Sequence, residues 1–152
     1  MATIQIENQA RNQQTDPVML ERVAQRILSV LACPDAELSI LLVDDEHIRE
    51  INRDYLQRDR STNVISFAMR EGDGPENSAD LLGDVVISTE TAARDAAEAG
   101  IGYRDELYFL LLHGILHLVG YDHERSGEEE ARRMEEREQE IFALIKAEFL
   151  PT

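Results

Sequence analysis

Three of the four histidines in this chain lie in one short segment, HGILHLVGYDH, at residues 113–123. His113 and His117 are four residues apart, so on an α-helix their Cβ atoms lie about 5–6 Å apart on one face. Gly120 then lets the helix end and the chain turn, which can bring His123 to the same place. The spacing predicts a site in which His113, His117 and His123 bind one metal ion.

The chemistry expected of such a site is that of catalytic zinc. Neutral imidazole is a good zinc ligand, and three protein ligands leave the fourth tetrahedral position open to water. Three neutral ligands also leave the double charge of Zn²⁺ in place, so bound water can ionise near neutral pH (~7) and attack a phosphodiester or a carbonyl. We therefore expect one Zn²⁺ ion and count His113 and His117 among the candidate catalytic residues. The alternative is that they are ordinary core or surface histidines, as we expect of the isolated His47.

The sequence does not identify a general acid or base. In the metalloprotease signature H-E-x-x-H the base directly follows the first histidine, and here that position holds Gly114. The segment therefore lacks the general base that a peptidase of this type uses. Asp122, directly before His123, can orient a ligand or accept a proton, or it can cap the local turn.

The elements that must position the histidines follow from hydrophobic spacing. Apolar residues predict a strand at 4–6, a helix opening at Asp16 and Pro17, a central strand at 38–43 and a helix after Asp44. Strands at 64–67 and 84–88 come next, separated by a loop at 71–80, and then an Ala-rich helix capped by Thr89. A buried helix at about 103–119 carries His113 and His117, and a capping-box pattern at 126–129 opens the last helix.

Length and charge limit the function classes. The 152 residues suit one domain, and their net charge of −16 argues against broad coating of nucleic acid, so any RNA site must be local. Fourteen of the 15 cationic side chains are Arg, whose guanidinium suits bidentate phosphate contacts. The apolar run at 107–119 is too short to cross a bilayer, and no secretory signal is evident, so we expect a cytoplasmic protein without a membrane partner.

Three segments resemble the YbeY family of bacterial single-strand-specific, metal-dependent endoribonucleases. HGILHLVGYDH at 113–123 is similar to the family's H-G-x-L-H-L-x-G-Y-D-H along its whole length. STNVISF at 61–67 resembles P-T-[DN]-V-[LI]-S-F, and LLGDVVIS at 81–88 resembles L-L-G-D-[IVL]-V-I-[SC].

The resemblance implies a single α+β domain over residues 1–152, with a mixed sheet of about four strands and helices packed on it. It places the zinc site on a C-terminal helix and the following turn. It also implies hydrolysis of single-stranded RNA, in small-subunit rRNA maturation and ribosome assembly. The expected partners are rRNA and the small ribosomal subunit or assembly factors, and not DNA. Ser66 and Asp84, which stand in the two strand motifs, become candidate substrate-binding residues.

One position departs from the family pattern. Many members have an Arg six residues before the motif Thr, facing the scissile phosphate, and this chain has Leu56 there. Arg58 and Arg60 follow in the same loop, and either can reach a phosphate, which makes both candidate catalytic and substrate-binding residues. The alternative is that both are solvated loop charges. Ser61 also replaces the frequent Pro, so we expect a less rigid loop.

The leading hypothesis is a zinc-dependent, single-strand-specific endoribonuclease in which a loop Arg stabilises phosphate charge. One alternative is a metallohydrolase of a different substrate, such as a peptide or a small phosphoester. Another is a non-catalytic ribosome-assembly factor in which the metal only staples the C-terminal helices.

Overall fold

The computed structural model describes residues 2–69, 81–120 and 127–151. Within these ranges the chain forms four strands and five helices in the predicted order: β1 (Thr3–Asn8), α1 (Pro17–Val30), β2 (Glu37–Val43), α2 (Asp45–Leu56), β3 (Val64–Ala68), β4 (Leu81–Ser88), α3 (Thr89–Ala99), α4 (Tyr103–Leu118) and α5 (Gly127–Phe149). The loop predicted at 71–80 lies outside the described residues, as does the turn that contains Asp122 and His123.

The four strands form one mixed sheet in the order β1-β2-β4-β3. β2 runs parallel to β1 and to β4, whereas β3 is antiparallel to β4. β2, which was predicted to be a central strand, lies between β1 and β4, and its residues Leu38, Ile40 and Leu42 are buried. The expected α+β class with a four-stranded mixed sheet is confirmed.

The two faces of the sheet are covered unequally. α1, α4 and α5 join the larger core against one face, and α2 packs on the other face through Ile48 in a smaller cluster. α4 lies deepest, with Leu111 and Ile115 fully buried, which confirms the buried helix predicted from its continuous apolar sequence. None of the helices in the described ranges is both long and apolar enough to pass through a bilayer.

The helix ends agree with the sequence signals at α1 but differ at α3. The Asp16 carboxylate accepts hydrogen bonds from the first backbone amides of α1, and Pro17 occupies the first turn, as predicted. The cap of α3 is Ser88 rather than the predicted Thr89, because the Ser88 hydroxyl accepts from the Thr91 amide at 3.2 Å. Thr89 is instead fully buried and faces β2.

Candidate active site

α4 presents the two predicted histidine ligands side by side. One helical turn separates His113 from His117, and their Nε2 atoms lie 3.2 Å apart. The ring centroids are 4.7 Å apart with the planes inclined by 67°. Both rings therefore direct the same nitrogen towards one point outside the helix.

This separation suits two ligands of one zinc ion. Tetrahedral zinc with Zn–N bonds of about 2.05 Å places two ligand nitrogens about 3.3 Å apart, close to the distance observed. Within residues 2–69, 81–120 and 127–151, no three His, Cys, Asp or Glu side chains are arranged so that they could hold a metal ion. His123, the predicted third ligand, lies outside these ranges, so the three-histidine zinc site stays a prediction.

The other ring nitrogen of His113 contacts a carboxylate from α5. His113 Nδ1 lies 2.7 Å from Glu138 Oε2. Glu138 is only 8% exposed, which is exceptional on a helix whose other acidic side chains are mostly exposed. The contact joins α5 to the face of α4 that carries both histidines.

A cleft of about 600 Å³ opens beside the histidines. Its described lining comes from α2, the following loop, β3 and α4, and comprises Asn52, Leu56, Arg58, Arg60, Ser61, Thr62, Asn63, Val64, Ile65, Ser66, His113 and His117. The structure thus brings all four predicted catalytic residues, Arg58, Arg60, His113 and His117, into one cleft together with Ser66.

The cleft differs in charge from the rest of the protein. Its described lining holds two arginines and two histidines but no Asp or Glu, in a chain with 31 acidic residues. Within the described residues, Arg58 and Arg60 form no ion pair, whereas Arg49 on the neighbouring helix is paired with Asp59 at 2.7 Å. Both cleft arginines are exposed.

The backbone of the arginine loop is held by Asn52, which is 3% exposed. The Asn52 side-chain amide donates to the Arg60 carbonyl at 2.9 Å, and the Arg58 amide donates to the Asn52 carbonyl at 3.1 Å. Gln57 ends α2 in the left-handed region with φ of 55°. The hydrogen bond from Arg49 lowers the pKa of the Asp59 carboxyl. The loop, which was expected to be less rigid because Ser61 replaces Pro, is therefore hydrogen-bonded to α2 at both Arg58 and Arg60.

Ser66 attaches β3 to the histidine helix. Its hydroxyl donates to the Gly114 carbonyl at 3.0 Å, one residue beyond His113. A Cβ at position 114 would lie 2.8 Å from Val85 Cγ1, so glycine is what lets α4 approach the sheet this closely. Ser66 lines the cleft and its hydroxyl is used in positioning α4, while its binding of substrate stays a prediction.

The structure does not bring Asp84 to the histidine cleft. Successive residues of a strand face opposite sides of the sheet, and the neighbouring Val85 faces α4. Asp84 therefore faces the other side, where it lines a second groove of about 800 Å³ together with Glu7, His47 and Phe67. That groove contains two carboxylates and no arginine among its described lining. Its charge suits RNA poorly.

Two site residues were not found from the sequence. Glu138 and Asn52 are both buried polar side chains at positions where the helix pattern calls for an apolar residue. Glu138 lies on the buried side of α5 with Met134, Ile141 and Ile145, whereas Leu144 is 41% exposed. A lone polar residue inside an apolar stripe is the signal that would have revealed each of them.

The family model described as Endoribonuclease YbeY matches residues 5–146 of the chain. The Endoribonuclease YbeY of Syntrophotalea carbinolica is 63% identical over 150 residues, which cover 99% of this chain and 100% of the relative. That of Geobacter metallireducens is 54% identical over 147 residues, covering 97% and 98%.

A solved structure shows the same fold at lower similarity. The solution structure of a Thermotoga maritima protein matches with a TM-score of 0.66 and 22% identity, covering 97% of this chain and 91% of that chain. The family match extends from β1 into α5 and so includes every element that lines the cleft. The chain belongs to the YbeY family.

Proposed function

We propose that this protein is a zinc-dependent endoribonuclease that cuts single-stranded RNA in the cleft lined by Arg58, Arg60, His113 and His117. Relatives with 63% and 54% identity bear the name Endoribonuclease YbeY, which supports the reaction class. The observation that carries the proposal is the combination of two arginines, neither ion-paired with any described residue, and a histidine pair in a cleft whose described lining lacks carboxylates.

The charge distribution favours RNA at this cleft and opposes it elsewhere. A net charge of −16 repels a polyanion over most of the surface. At physiological ionic strength charges are screened over about 8 Å, so the groups within the cleft decide local binding. Two arginines and no acid in the described lining make the cleft an attractive position for a phosphate.

The chain's own residues divide the work at the phosphate. His113, His117 and the predicted His123 would hold the zinc ion, which when bound supplies Lewis acidity towards a phosphoryl oxygen and towards water. Arg58 and Arg60 offer planar, charged donors to the non-bridging oxygens, where negative charge increases during cleavage. Their loop is fixed on Asn52, so these donors are partly preorganised.

Polar groups next to the arginines suit the sugar-phosphate chain. Ser61, Thr62 and Asn63 line the same cleft with hydroxyl and amide groups. Such groups contact phosphate and sugar oxygens without reading the bases. We therefore infer that the cleft holds an unpaired strand through its backbone.

We extend the proposal to the biological context that the family resemblance implies. The substrate is then rRNA, cut during maturation of the small ribosomal subunit, with the subunit itself or its assembly factors as partners in the cytoplasm. An acidic protein with one local RNA cleft suits a substrate that a ribosomal surface helps to present.

The test is cleavage by zinc-replete protein of one RNA sequence offered single-stranded and as a duplex, and of the matching single-stranded DNA. We expect the single-stranded RNA to be cut and the other two to stay intact. Arg58→Ala should reduce cleavage. Arg22→Ala removes the same charge from an exposed position on α1, outside the cleft, and should leave cleavage unchanged.

The same assay separates the alternatives. Hydrolysis of a peptide library or of a small phosphoester with intact RNA would identify a hydrolase of another substrate. Tight zinc binding without any hydrolysis, together with a lower melting temperature after chelation, would identify a non-catalytic factor. Either result would overturn the endoribonuclease proposal.

A further inference from the structure

We propose that Glu138 is a positioning residue that fixes the ring orientation and the tautomer of His113. In this arrangement His113 donates its Nδ1 hydrogen to the Glu138 carboxylate and keeps the lone pair of Nε2 for the side that faces His117. The inference rests on the proposed function in one respect, which is that Nε2 of His113 is a metal ligand.

The contact geometry carries the tautomer assignment. Glu138 Oε2 lies 2.7 Å from His113 Nδ1, a short distance typical of a charge-assisted hydrogen bond. An ionised carboxylate can only accept hydrogen bonds, so the shared hydrogen belongs to Nδ1. A neutral imidazole with hydrogen on Nδ1 presents its lone pair at Nε2, and that atom lies 3.2 Å from His117 Nε2.

Aromatic contacts restrict the same ring on another side. Phe109, one helical turn before His113, stacks on the imidazole with centroids 6.4 Å apart and planes inclined by 25°. Phe142 of α5 in turn contacts the Phe109 ring edge to face at 5.3 Å. α5 therefore acts on His113 twice, directly through Glu138 and indirectly through the Phe142–Phe109 pair.

The residue type at position 138 is explained by the histidine and not by helix packing. Met134, Ile141 and Ile145 form the buried stripe of α5, and Glu138 interrupts it with a carboxylate. Burying a carboxylate is costly unless it is paired, and a leucine at this place would add to the core without that cost. Glu135 carries the same carboxylate on the exposed side of α5, where no burial cost has to be offset by a partner.

A carboxylate in this position controls a metal ligand in two ways. It holds the ring so that Nε2 is already directed before a metal binds, and it raises the basicity of the ligand nitrogen. Loss of such a partner lowers metal affinity by about 10–100-fold. We expect a loss in this range for zinc when Glu138 is replaced by leucine.

The experiment measures zinc affinity and tautomer separately on the full chain. Zinc affinity is obtained by competition with a chromophoric chelator for the wild type, Glu138→Leu, Glu138→Gln and the control Glu135→Gln. Nitrogen-15 spectra of the histidine rings in zinc-free protein at mildly alkaline pH report the tautomer. We expect His113 in the Nδ1-H form in the wild type and in Glu135→Gln, and a shift towards the Nε2-H form in Glu138→Leu.

Glu138→Gln distinguishes position from charge. Its amide oxygen can still accept the Nδ1 hydrogen, so we expect the wild-type tautomer with a loss of zinc affinity smaller than that of Glu138→Leu. If Glu138→Leu does not fold, Glu138→Gln alone tests the inference. In that variant we expect a lower zinc affinity and an upfield shift of the hydrogen resonance at His113 Nδ1. A role in helix packing alone would change thermal stability without changing either readout.

The outcomes separate this inference from the proposed function. Wild-type zinc affinity and an unchanged His113 tautomer in Glu138→Leu would overturn the role of Glu138 while leaving the metal site in place. Zinc binding that survives both His113→Ala and His117→Ala would overturn the metal site. In that case the tautomer in zinc-free protein still decides whether Glu138 orients His113.

Discussion

Ser66 on β3 donates a hydrogen bond to the carbonyl oxygen of Gly114 on α4, at 3.0 Å and one residue away from His113. At this point the side chains of Ser66 and Val85 on the sheet meet the bare backbone of α4, because a Cβ on Gly114 would lie 2.8 Å from Val85 Cγ1. The close approach of α4 to these two side chains therefore helps to set the position of His113 and His117.

Gly114→Ala should push α4 away from the sheet. Val85 is fully buried and the new Cβ cannot be accommodated without displacement, so we expect a loss of about 1–3 kcal/mol in the free energy of unfolding. The histidines should move with the helix, and zinc affinity should fall. Urea unfolding and chelator competition measure the two effects.

The double variant Gly114→Ala with Val85→Ala is the control for this clash. Removing both Val85 methyl groups costs stability by itself but makes room for the new Cβ, so the double variant should lose less stability than the two single variants together and should regain part of the zinc affinity. If the stability losses of the two single variants simply add in the double variant, the close approach of α4 is not what Gly114 provides.

The histidine helix could be predicted because its information is local. Continuous apolar residues and a four-residue histidine spacing determine that α4 is buried and that His113 and His117 share a face. Glu138 reaches His113 only through the packing of α5 on α4, 25 residues further on, and it stands among many other Glu residues. No local pattern connects the two.

Asp84 shows what a motif does not tell about position in the fold. The family motif identifies the residue, but the face of the sheet decides what it can reach. Val85 and Ile87 are fully buried, and strand alternation from these two residues already places Asp84 on the opposite face. The motif resemblance made Asp84 a candidate substrate-binding residue, and strand alternation shows that it lies on the face of the sheet away from the histidines.

Asn52→Ala should release the arginine loop. The substitution removes the hydrogen bond that Asn52, itself 3% exposed, donates to the Arg60 carbonyl, and the loss of such a bond costs about 0.5–1.5 kcal/mol. Hydrogen exchange at the Arg58 and Arg60 amides should accelerate and RNA cleavage should fall. Zinc affinity should stay at the wild-type value, and Asn12→Ala, on a loop far along the chain from the cleft residues, should change none of these quantities.

Arg58→Ala should slow cleavage even when RNA is saturating. If Arg58 stabilises charge on the phosphate as it is cut, the single-turnover rate should fall by roughly 10²-fold with unchanged zinc content. If it only holds the RNA backbone, saturating RNA should restore the rate and the salt dependence of binding should drop by about one unit. Wild-type rates in both Arg58→Ala and Arg60→Ala would exclude this loop from the reaction.

Asp45 should make the fold sensitive to acid. Burial raises the pKa of its carboxyl, but hydrogen bonds from Ser88, Thr91 and Arg94 outweigh burial and hold the pKa below its ordinary value. The folded state thus favours the ionised form. This contribution is present above the unfolded pKa of about 3.9 and is lost as the pH falls through the folded pKa.

Urea unfolding across the acidic range tests the Asp45 assignment. We expect Asp45→Asn to be less stable than the wild type at neutral pH and to approach it as the pH is lowered. Thr91→Val removes one of the donors without removing the Ser88 cap of α3 and should show a smaller difference of the same sign. A constant gap between wild type and Asp45→Asn at all pH values would contradict this origin of the acid sensitivity.

His113→Ala should abolish tight zinc binding and leave most secondary structure intact. α4 keeps its buried leucines in this variant, so the fold does not depend on zinc as a zinc finger does. The carboxylate of Glu138 loses its partner at 2.7 Å, and we expect a loss of about 1–3 kcal/mol in the free energy of unfolding. Elemental analysis measures the zinc content and circular dichroism measures the secondary structure.

His47→Ala, which removes a histidine on the other face of the sheet, is the control and should retain zinc. Stoichiometric zinc in His113→Ala would remove this residue from the ligand set, and global unfolding would assign the site to structure and not to catalysis.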